Sequence, residues 1–287
     1  MLTMPGTLYL VATPIGNLED LTYRAVRVLS EVSLIACEDT RHTRKLLNHY
    51  GITTKTVSYH EHNERDQAYK LVDLLKSGMD LAIVSDAGTP GISDPGFRAV
   101  SLALAENIQV VPIPGPTALI SALIASGLPS DEFFFGGFLP ARSTARRRRL
   151  AELSTIPTTL IFYEAPHRIA EALKDALEVL GEREAVVARE LTKLHEEVLR
   201  GRLSELVSQF GENKTEPRGE MVVVIDRHVI ESAEDKDKSG ASISTLVAGF
   251  EAEGLEPRAA LKKAAKALGI SRDEAYRHLT AERSQEK

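Results

Sequence analysis

The stretch SDAGTPGISDPG at residues 85–96 packs Gly88, Pro90, Gly91, Pro95 and Gly96 around two aspartates. An ordinary turn needs no such density of backbone breakers. Ordering a loop of this kind costs conformational entropy, so the composition points to close backbone approach by a ligand. Asp86, at the end of an apolar run, can accept hydrogen bonds from a ligand's amine or hydroxyl groups. Two further loops share this pattern of apolar run, breaker and helix start. In ATPIGNLEDLT, Gly16 lets the chain bend and the following amides can meet a polar group; the same residues also suit a plain turn with Asn17 or Asp20 as helix cap. In PIPGPTALISA, Thr117 and Ala118 open an apolar helix where small residues leave room for a ligand or for packing. No G-x-G-x-x-G joins the first strand to its helix, and no G-x-x-x-x-G-K-[ST] is present, which removes NAD enzymes and P-loop NTPases.

The elements that would hold these loops alternate. GTLYLVAT is strand-like, LTYRAVRVLSEV has helical spacing, and SLIACED is again strand-like. HTRKLLNHY (helix), TKTVSYH (strand), ERDQAYKLVDLLKSG (helix ended by Gly78) and MDLAIVSDAG (buried strand) continue the rhythm, followed by FRAVSLALAEN and IQVVPIPG. PTALISALIASGL is read as a helix with Pro116 in its first turn and Gly127 at its end. Such alternation predicts a largely parallel sheet with helices on both faces and ligands beyond the carboxyl ends of its strands. A second α/β unit runs through EFFFGGFLP, an Arg-rich helix, TTLIFYEAPHR, EAVVAREL, RGRLSELVSQF and GEMVVVIDR. The expected organisation is an α/β domain at 1–122, a second at 123–229, a polar linker at 230–242 and a helical domain at 243–287. In the last of these, Gly269 and the N-cap Ser271 suggest a helix-turn-helix.

Bulk composition narrows the classes. The 287 residues are 43% hydrophobic and 26% charged, ordinary for a folded soluble chain. The one cysteine, Cys37, has no partner within the chain, which argues for a reducing, cytoplasmic setting and against a Cys-built metal site. The N-terminus has no basic segment ahead of its short apolar run and reads as a strand rather than a signal peptide, and no stretch resembles a membrane span. A net charge of -6 does not attract polyanions, so nucleic-acid contact requires a local patch. Arg142, Arg146, Arg147, Arg148 and Arg149 form one. His60 and His62 in YHEHNE read as a solvated loop, and no metal site is expected.

Taken in order, TLYLVATPIGNLEDLTYRA, CEDTR, VSDAGTPGISDPG, PIPGPTALISALIASGL, FYEAPHR, ARELTK and PRGEMVVVI resemble the tetrapyrrole methylase superfamily. Within it they are most similar to the branch of small-subunit ribosomal RNA cytidine 2'-O-methyltransferases, whose helix-turn-helix appendage the tail from Ile243 also resembles. The opening TPIGN, where corrin and porphyrin enzymes are glycine-rich, and Ser85, where they often have glycine, speak against a tetrapyrrole substrate. The resemblance implies S-adenosylmethionine (SAM) held between two α/β domains. It would be held by Pro14, Ile15, Asp86, Gly88, Thr89, Thr117 and Ala118, with Tyr163, Leu191 and Gly219 from the second domain. A homodimer is implied as well.

Methyl transfer to a ribose hydroxyl is an in-line displacement that needs alignment and somewhere for the proton to go. Three polar clusters offer groups: Glu38, Asp39 and Arg41; Glu164, His167 and Arg168; Glu190, Lys193, His195 and Glu196. The expectation is that Asp39 or Glu190 accepts the proton while Lys193 or His167 steadies the oxygen, with the arginines at 142–149 and the C-terminal helices holding phosphates. A small-molecule acceptor would need neither the Arg run nor the helical tail. A noncatalytic RNA-binding assembly protein would have no use for the loop at 85–96.

Overall fold

Each short apolar run in the first hundred residues forms a strand and each amphipathic run a helix. In the computed structural model, which describes residues 4–212, 219–227, 243–268 and 270–285, the chain divides after residue 228 into two units. The first unit contains two five-stranded sheets. β1 (Leu8–Val11), β2 (Leu34–Cys37), β3 (Thr56–Ser58), β4 (Leu81–Val84) and β5 (Val110–Ile113) lie in the order β3-β2-β4-β1-β5, all parallel. Because β1 and β4 are neighbours and each connects onward past the other, their following loops diverge and open a crevice at the strand ends.

Both faces of this sheet are covered, which is why its strands read as continuous apolar runs. α1 (Tyr23–Glu31) and α2 (Thr40–His49) place Ala25, Val28, Leu29, Leu46 and Leu47 on Val11, Ile35 and Val84. α3 (Glu64–Lys76) and α4 (Phe97–Ala105) place Ala68, Leu71, Leu75, Ala99 and Ala103 on Leu8, Leu81 and Ile83. α3 ends at Gly78, whose φ of 94° suits glycine.

α5 (Ala118–Ser126) begins after Thr117, which has the extended backbone of an N-cap, so Pro116 precedes the helix rather than lying in its first turn. Gly127, at φ 78°, ends it. Its buried Leu119, Ala122 and Leu123 pack on the second sheet, so residue 122 lies within an element that covers that sheet. The second sheet contains β6 (Phe133–Phe138), β7 (Thr159–Glu164), β8 (Glu184–Arg189), β9 (Glu197–Arg202) and β10 (Met221–Ile225), in the order β6-β7-β10-β8-β9. Only β6 and β7 run parallel; the other pairings are antiparallel. α6 (Ser143–Leu153), α7 (Ile169–Leu180) and α8 (Leu203–Glu212) cover its other face around Leu150, Phe162, Leu173, Val187 and Val223.

The second unit has three helices, Ile243–Ala252, Pro257–Ala267 and Arg272–Gln285, joined by a core of Ile243, Val247, Ala260, Leu261, Ala264, Ala275 and Leu279. Ser271 caps the last: its hydroxyl accepts the Glu274 amide while Glu274 accepts the Ser271 amide, a capping box. The expected linker at 230–242 and Gly269 lie outside the described residues. Among the described residues no helix is long and apolar enough to cross a membrane.

Candidate functional site

The loops that follow β1, β4 and β5 are tied together by their backbones. The Thr13 amide donates to Gly88 O at 2.8 Å, and the Gly88 amide returns to Thr13 O at 3.0 Å. Both side chains at this junction are buried and satisfied: the Thr13 hydroxyl donates to Ser85 O and the Ser85 hydroxyl to Gly88 O, each at 3.0 Å. Ser85 thus has a local task that glycine could not perform. The Thr89 hydroxyl donates to Pro116 O at 3.5 Å, joining the second loop to the third. The first loop also meets the loop after β8. A Cβ on Gly16 would lie 2.4 Å from Lys193 Cγ and 3.0 Å from Leu191 O, and the Asn17 amide donates to Thr192 Oγ1 at 3.0 Å.

These loops enclose a cleft of about 720 Å³, within the range of sites for nucleotide-sized small molecules. Its lining includes all ten residues expected to hold SAM: Pro14, Ile15, Asp86, Gly88, Thr89, Thr117, Ala118, Tyr163, Leu191 and Gly219. Tyr163, from β7, has the Phe135 and Phe138 rings edge-on at 4.9 and 5.6 Å, and burial pushes its phenol above the usual range. At Gly219, φ is 79° and a Cβ would fall 1.7 Å from Glu190 Oε1, so both conformation and space require glycine there.

One wall is acidic. Glu38 from the end of β2, Asp86 and Asp94 from the loop at 85–96, and Glu220 before β10 all line the cleft. Burial, reinforced by Asp86, raises the Glu38 carboxyl. Asp94 is pushed up to about 7, first by burial and then by Glu38, Glu220 and Asp86. Asp94 and Glu220 were absent from the residues singled out by sequence. Asp94 sits inside the conspicuous loop, but nothing in its type or spacing marks which aspartate is buried.

The expected catalytic residues separate into two groups. Glu190 and Lys193 both line the cleft, with Lys193 Nζ donating to Glu190 Oε1 at 2.8 Å. Glu190 and Thr192 hold positive φ angles of 51° and 67°, so this loop is held in a conformation uncommon for residues with side chains. Asp39 and His167 are not among the lining residues. Asp39 caps α2, accepting the Arg41 amide at 2.8 Å, and that bond together with the Arg41 side chain holds its carboxyl below the ordinary range. A carboxylate so stabilised in its charged form is a poor proton acceptor. His167 is exposed on the 3-10 turn Pro166–Arg168. Its neighbours Glu164 and Arg168 pair at 3.2 Å with Glu164 fully buried, a structural anchor beneath β7. His195 and Glu196 are exposed, and Glu196 accepts the Thr192 amide at 2.6 Å.

The arginine run also differs from its sequence reading. Arg146 is fully buried: Nε donates to Asp175 Oδ2 at 2.7 Å and Nη1 to Ala141 O at 3.3 Å. Its place on the inner face of α6 withdraws it from any phosphate. Arg147 pairs with Asp175 and Glu178 of α7, and Arg148 and Arg149 lie near Glu152. Arg142, the N-cap of α6, is exposed. His60 and His62 stand with ring centroids 5.9 Å apart.

The model of the tetrapyrrole (corrin/porphyrin) methylases matches residues 7–207. A ribosomal RNA small subunit methyltransferase I of Xylella fastidiosa (strain Temecula1) is 49% identical over 276 residues, covering 96% of this chain and 99% of that protein. The protein of the same name from Vibrio cholerae is 52% identical over 240 residues, 83% of each chain. Among solved structures, diphthine synthase superposes with a TM-score of 0.60 at 15% identity, covering 77% of this chain and 90% of its own. A Thermus thermophilus uroporphyrin-III C-methyl transferase complexed with S-adenyl homocysteine gives 0.54 at 21% identity, with coverages of 76% and 97%. At such identities these structures share the fold with this chain.

Proposed function

Since the chain belongs to the tetrapyrrole methylase family, we propose that it transfers a methyl group from SAM to small-subunit ribosomal RNA, at the ribose 2'-hydroxyl of a cytidine. The observation that carries this reading is identity of about half, over nearly the full length, to relatives named for methylation of that RNA. The tetrapyrrole enzymes share the fold at 21% identity or less.

The cleft fits the donor in size and charge. SAM supplies an already activated methyl on a cationic sulfur, and the acidic wall of Glu38, Asp86, Asp94 and Glu220 complements a cation. Thr89, Thr117 and Tyr163 offer hydroxyls, and the loop containing Gly88 offers backbone groups at short range. The chain's main task is then to align an oxygen nucleophile. Lys193, at the rim and held by Glu190, is placed to steady that oxygen as charge develops on it. Because Lys193 already occupies Glu190 Oε1, Glu190 serves better to hold Lys193 than to take up a proton. The exposed Arg142 and Arg148, the half-exposed Arg149 and the three C-terminal helices, as a helix-turn-helix-like unit, hold phosphates. A cytoplasmic homodimer completes the reading.

The test is to incubate the purified protein with tritiated-methyl SAM and small ribosomal subunits from a strain lacking its own enzyme, then map the label by nuclease digestion and mass spectrometry. Label in one ribose-methylated cytidine is the expected result. SAM binding without label in RNA overturns the choice of acceptor.

A further inference from the structure

Methylating a hydroxyl releases a proton, and the two carboxylates expected from sequence to accept it are engaged elsewhere: Asp39 by the Arg41 amide and Glu190 by Lys193. Resting on the methyl-transfer reading, we propose that Asp94 is the group that takes the proton of the acceptor hydroxyl.

Its position is fixed by its own loop. Ser93, the residue before the Asp94–Pro95 pair, has φ 61°, and Gly96 has φ 153° with a Cβ position only 3.2 Å from Gly91 N, so the segment folds back on itself. Glu64 at the start of α3 anchors the far end: its Oε1 accepts the Gly96 amide at 3.2 Å, the Arg98 amide at 3.4 Å and the Tyr59 hydroxyl at 3.0 Å. The Asp94 side chain therefore enters the cleft from a rigid support, half-buried, and no hydrogen-bond or ion-pair partner holds it among the described residues. Asp86, by contrast, accepts the Asp39 amide at 3.0 Å.

The surroundings favour proton uptake. The charges that act on Asp94 are Glu38, Glu220 and Asp86, all carboxylates, with the Tyr163 phenol also nearby. Among the described lining residues the basic side chains are His42 of α2 and Lys193, and Lys193 is paired with Glu190. A proton acceptor is most effective when its affinity matches the working pH, and Asp94, pushed up to about 7, meets that condition. As the oxygen–methyl bond forms, the carbon–sulfur pair returns to sulfur, the hydroxyl proton passes to an Asp94 carboxylate oxygen, and Asp94 later releases it to solvent. Sulfur leaves as a neutral thioether, so charge and atoms balance.

The test is single-turnover methylation of small subunits from pH 5.5 to 9 by the wild type, Asp94→Asn and Glu38→Gln, with SAM binding measured by calorimetry. For the wild type, the rate should rise tenfold per pH unit and level off as Asp94 ionises, at or below 7 because the bound cationic donor favours the carboxylate. Asp94→Asn, which keeps three of the four wall carboxylates, should still bind SAM, within about tenfold of wild type, while the rate at saturating SAM falls on the order of 10²- to 10⁴-fold and loses that limb. Glu38→Gln, by removing a like charge, should move the limb to lower pH. The proposal is overturned if Asp94→Asn methylates within threefold of wild type with the limb intact, or if the folded variant no longer binds SAM. A wild type that binds SAM and labels no RNA overturns the underlying reading, and the inference with it.

Discussion

Replacing Arg146 separates two roles that its sequence position allows, because a phosphate ligand and an interior anchor fail in different ways. The guanidinium is fully buried, bonds Asp175 at 2.7 Å and reaches back to Ala141 O at 3.3 Å, which ties the turn between β6 and α6 to α7. Asp175 is nearly as buried and also accepts the Ser143 hydroxyl at 3.0 Å. Arg146→Met takes from that carboxylate its shortest and most buried partner, leaving it the longer Arg147 contact and the Ser143 hydroxyl, and removing one partner of a buried pair costs about 3–5 kcal/mol. For a unit of this size each kcal/mol shifts the melting temperature by about 2–4 °C, so a fall of roughly 6–20 °C is expected by calorimetry. The pair Arg146→Met with Asp175→Leu should recover most of that loss, since apolar replacement of a buried ion pair is commonly near neutral. RNA affinity measured at several salt concentrations should keep its wild-type slope in the double variant. If Arg146→Met melts within about 2 °C of wild type while its salt slope falls by roughly 0.7–0.9, one phosphate contact's worth, then Arg146 faces RNA and the anchoring argument is wrong.

The solvent-facing arginines should behave oppositely. Arg142→Gln, Arg148→Gln and Arg149→Gln together should change stability by about 1 kcal/mol or less, because exposed ion pairs contribute little, while the slope of log affinity against log salt flattens by up to about 2; an unchanged slope removes this patch from RNA binding. Gly16→Ala should raise the SAM dissociation constant at least about tenfold with little effect on melting, because its methyl would drive Lys193 Cγ and Leu191 O away from the first loop; unaltered SAM affinity would show that the two loops need not meet. Asp94 makes a prediction about stability as well. Its folded carboxyl titrates near 7 instead of 3.8, so the folded chain holds the proton more tightly than the unfolded one. Stability from this group is therefore full below the unfolded value and lost as pH rises through 7. The shift corresponds to no more than about 4 kcal/mol before screening by solvent, and Asp94→Asn should melt progressively higher than wild type between pH 5 and 8. Equal melting temperatures across that window would remove Asp94 from the acidic wall.

The first sheet was legible because strands covered on both faces are apolar throughout and each is followed by an amphipathic helix. The second sheet was only partly so. β9, EVLRGR, carries charges at Glu197, Arg200 and Arg202 and sits at an edge, where one side meets solvent, so its apolar signal is thin. Its antiparallel pairing with β8 depends on a short connection rather than on composition. The arginine run shows a different limit. Glu171, Asp175 and Glu178, at spacings of four and three, lie along one face of α7, and only the packing of α6 on α7 brings them to Arg146 and Arg147. Acidic spacing on a helix is visible in sequence; its partner helix is not. For the cleft, the ten residues expected to hold the donor came from matching long motifs, and the structure brings them to one cavity. The catalytic assignment instead required knowing which carboxylates already have donors, and that is a tertiary property.

The same acidic wall that suits a cationic donor opposes a polyanionic acceptor, and the conflict constrains how RNA reaches the methyl. Glu38, Asp86, Asp94 and Glu220 line the cleft, against Lys193, which Glu190 neutralises, and His42. A phosphate drawn into that cleft would meet several carboxylates at once, a repulsion that one exposed ion pair would not offset. The reacting sugar must therefore enter while its flanking phosphates stay outside, on cations such as Arg142 and Arg148 that face solvent. Under the proposed reading, affinity and chemistry thus reside on separate surfaces. Replacing the exposed cations should weaken RNA binding and leave the single-turnover rate at saturating RNA intact, whereas neutralising Asp94 should do the reverse.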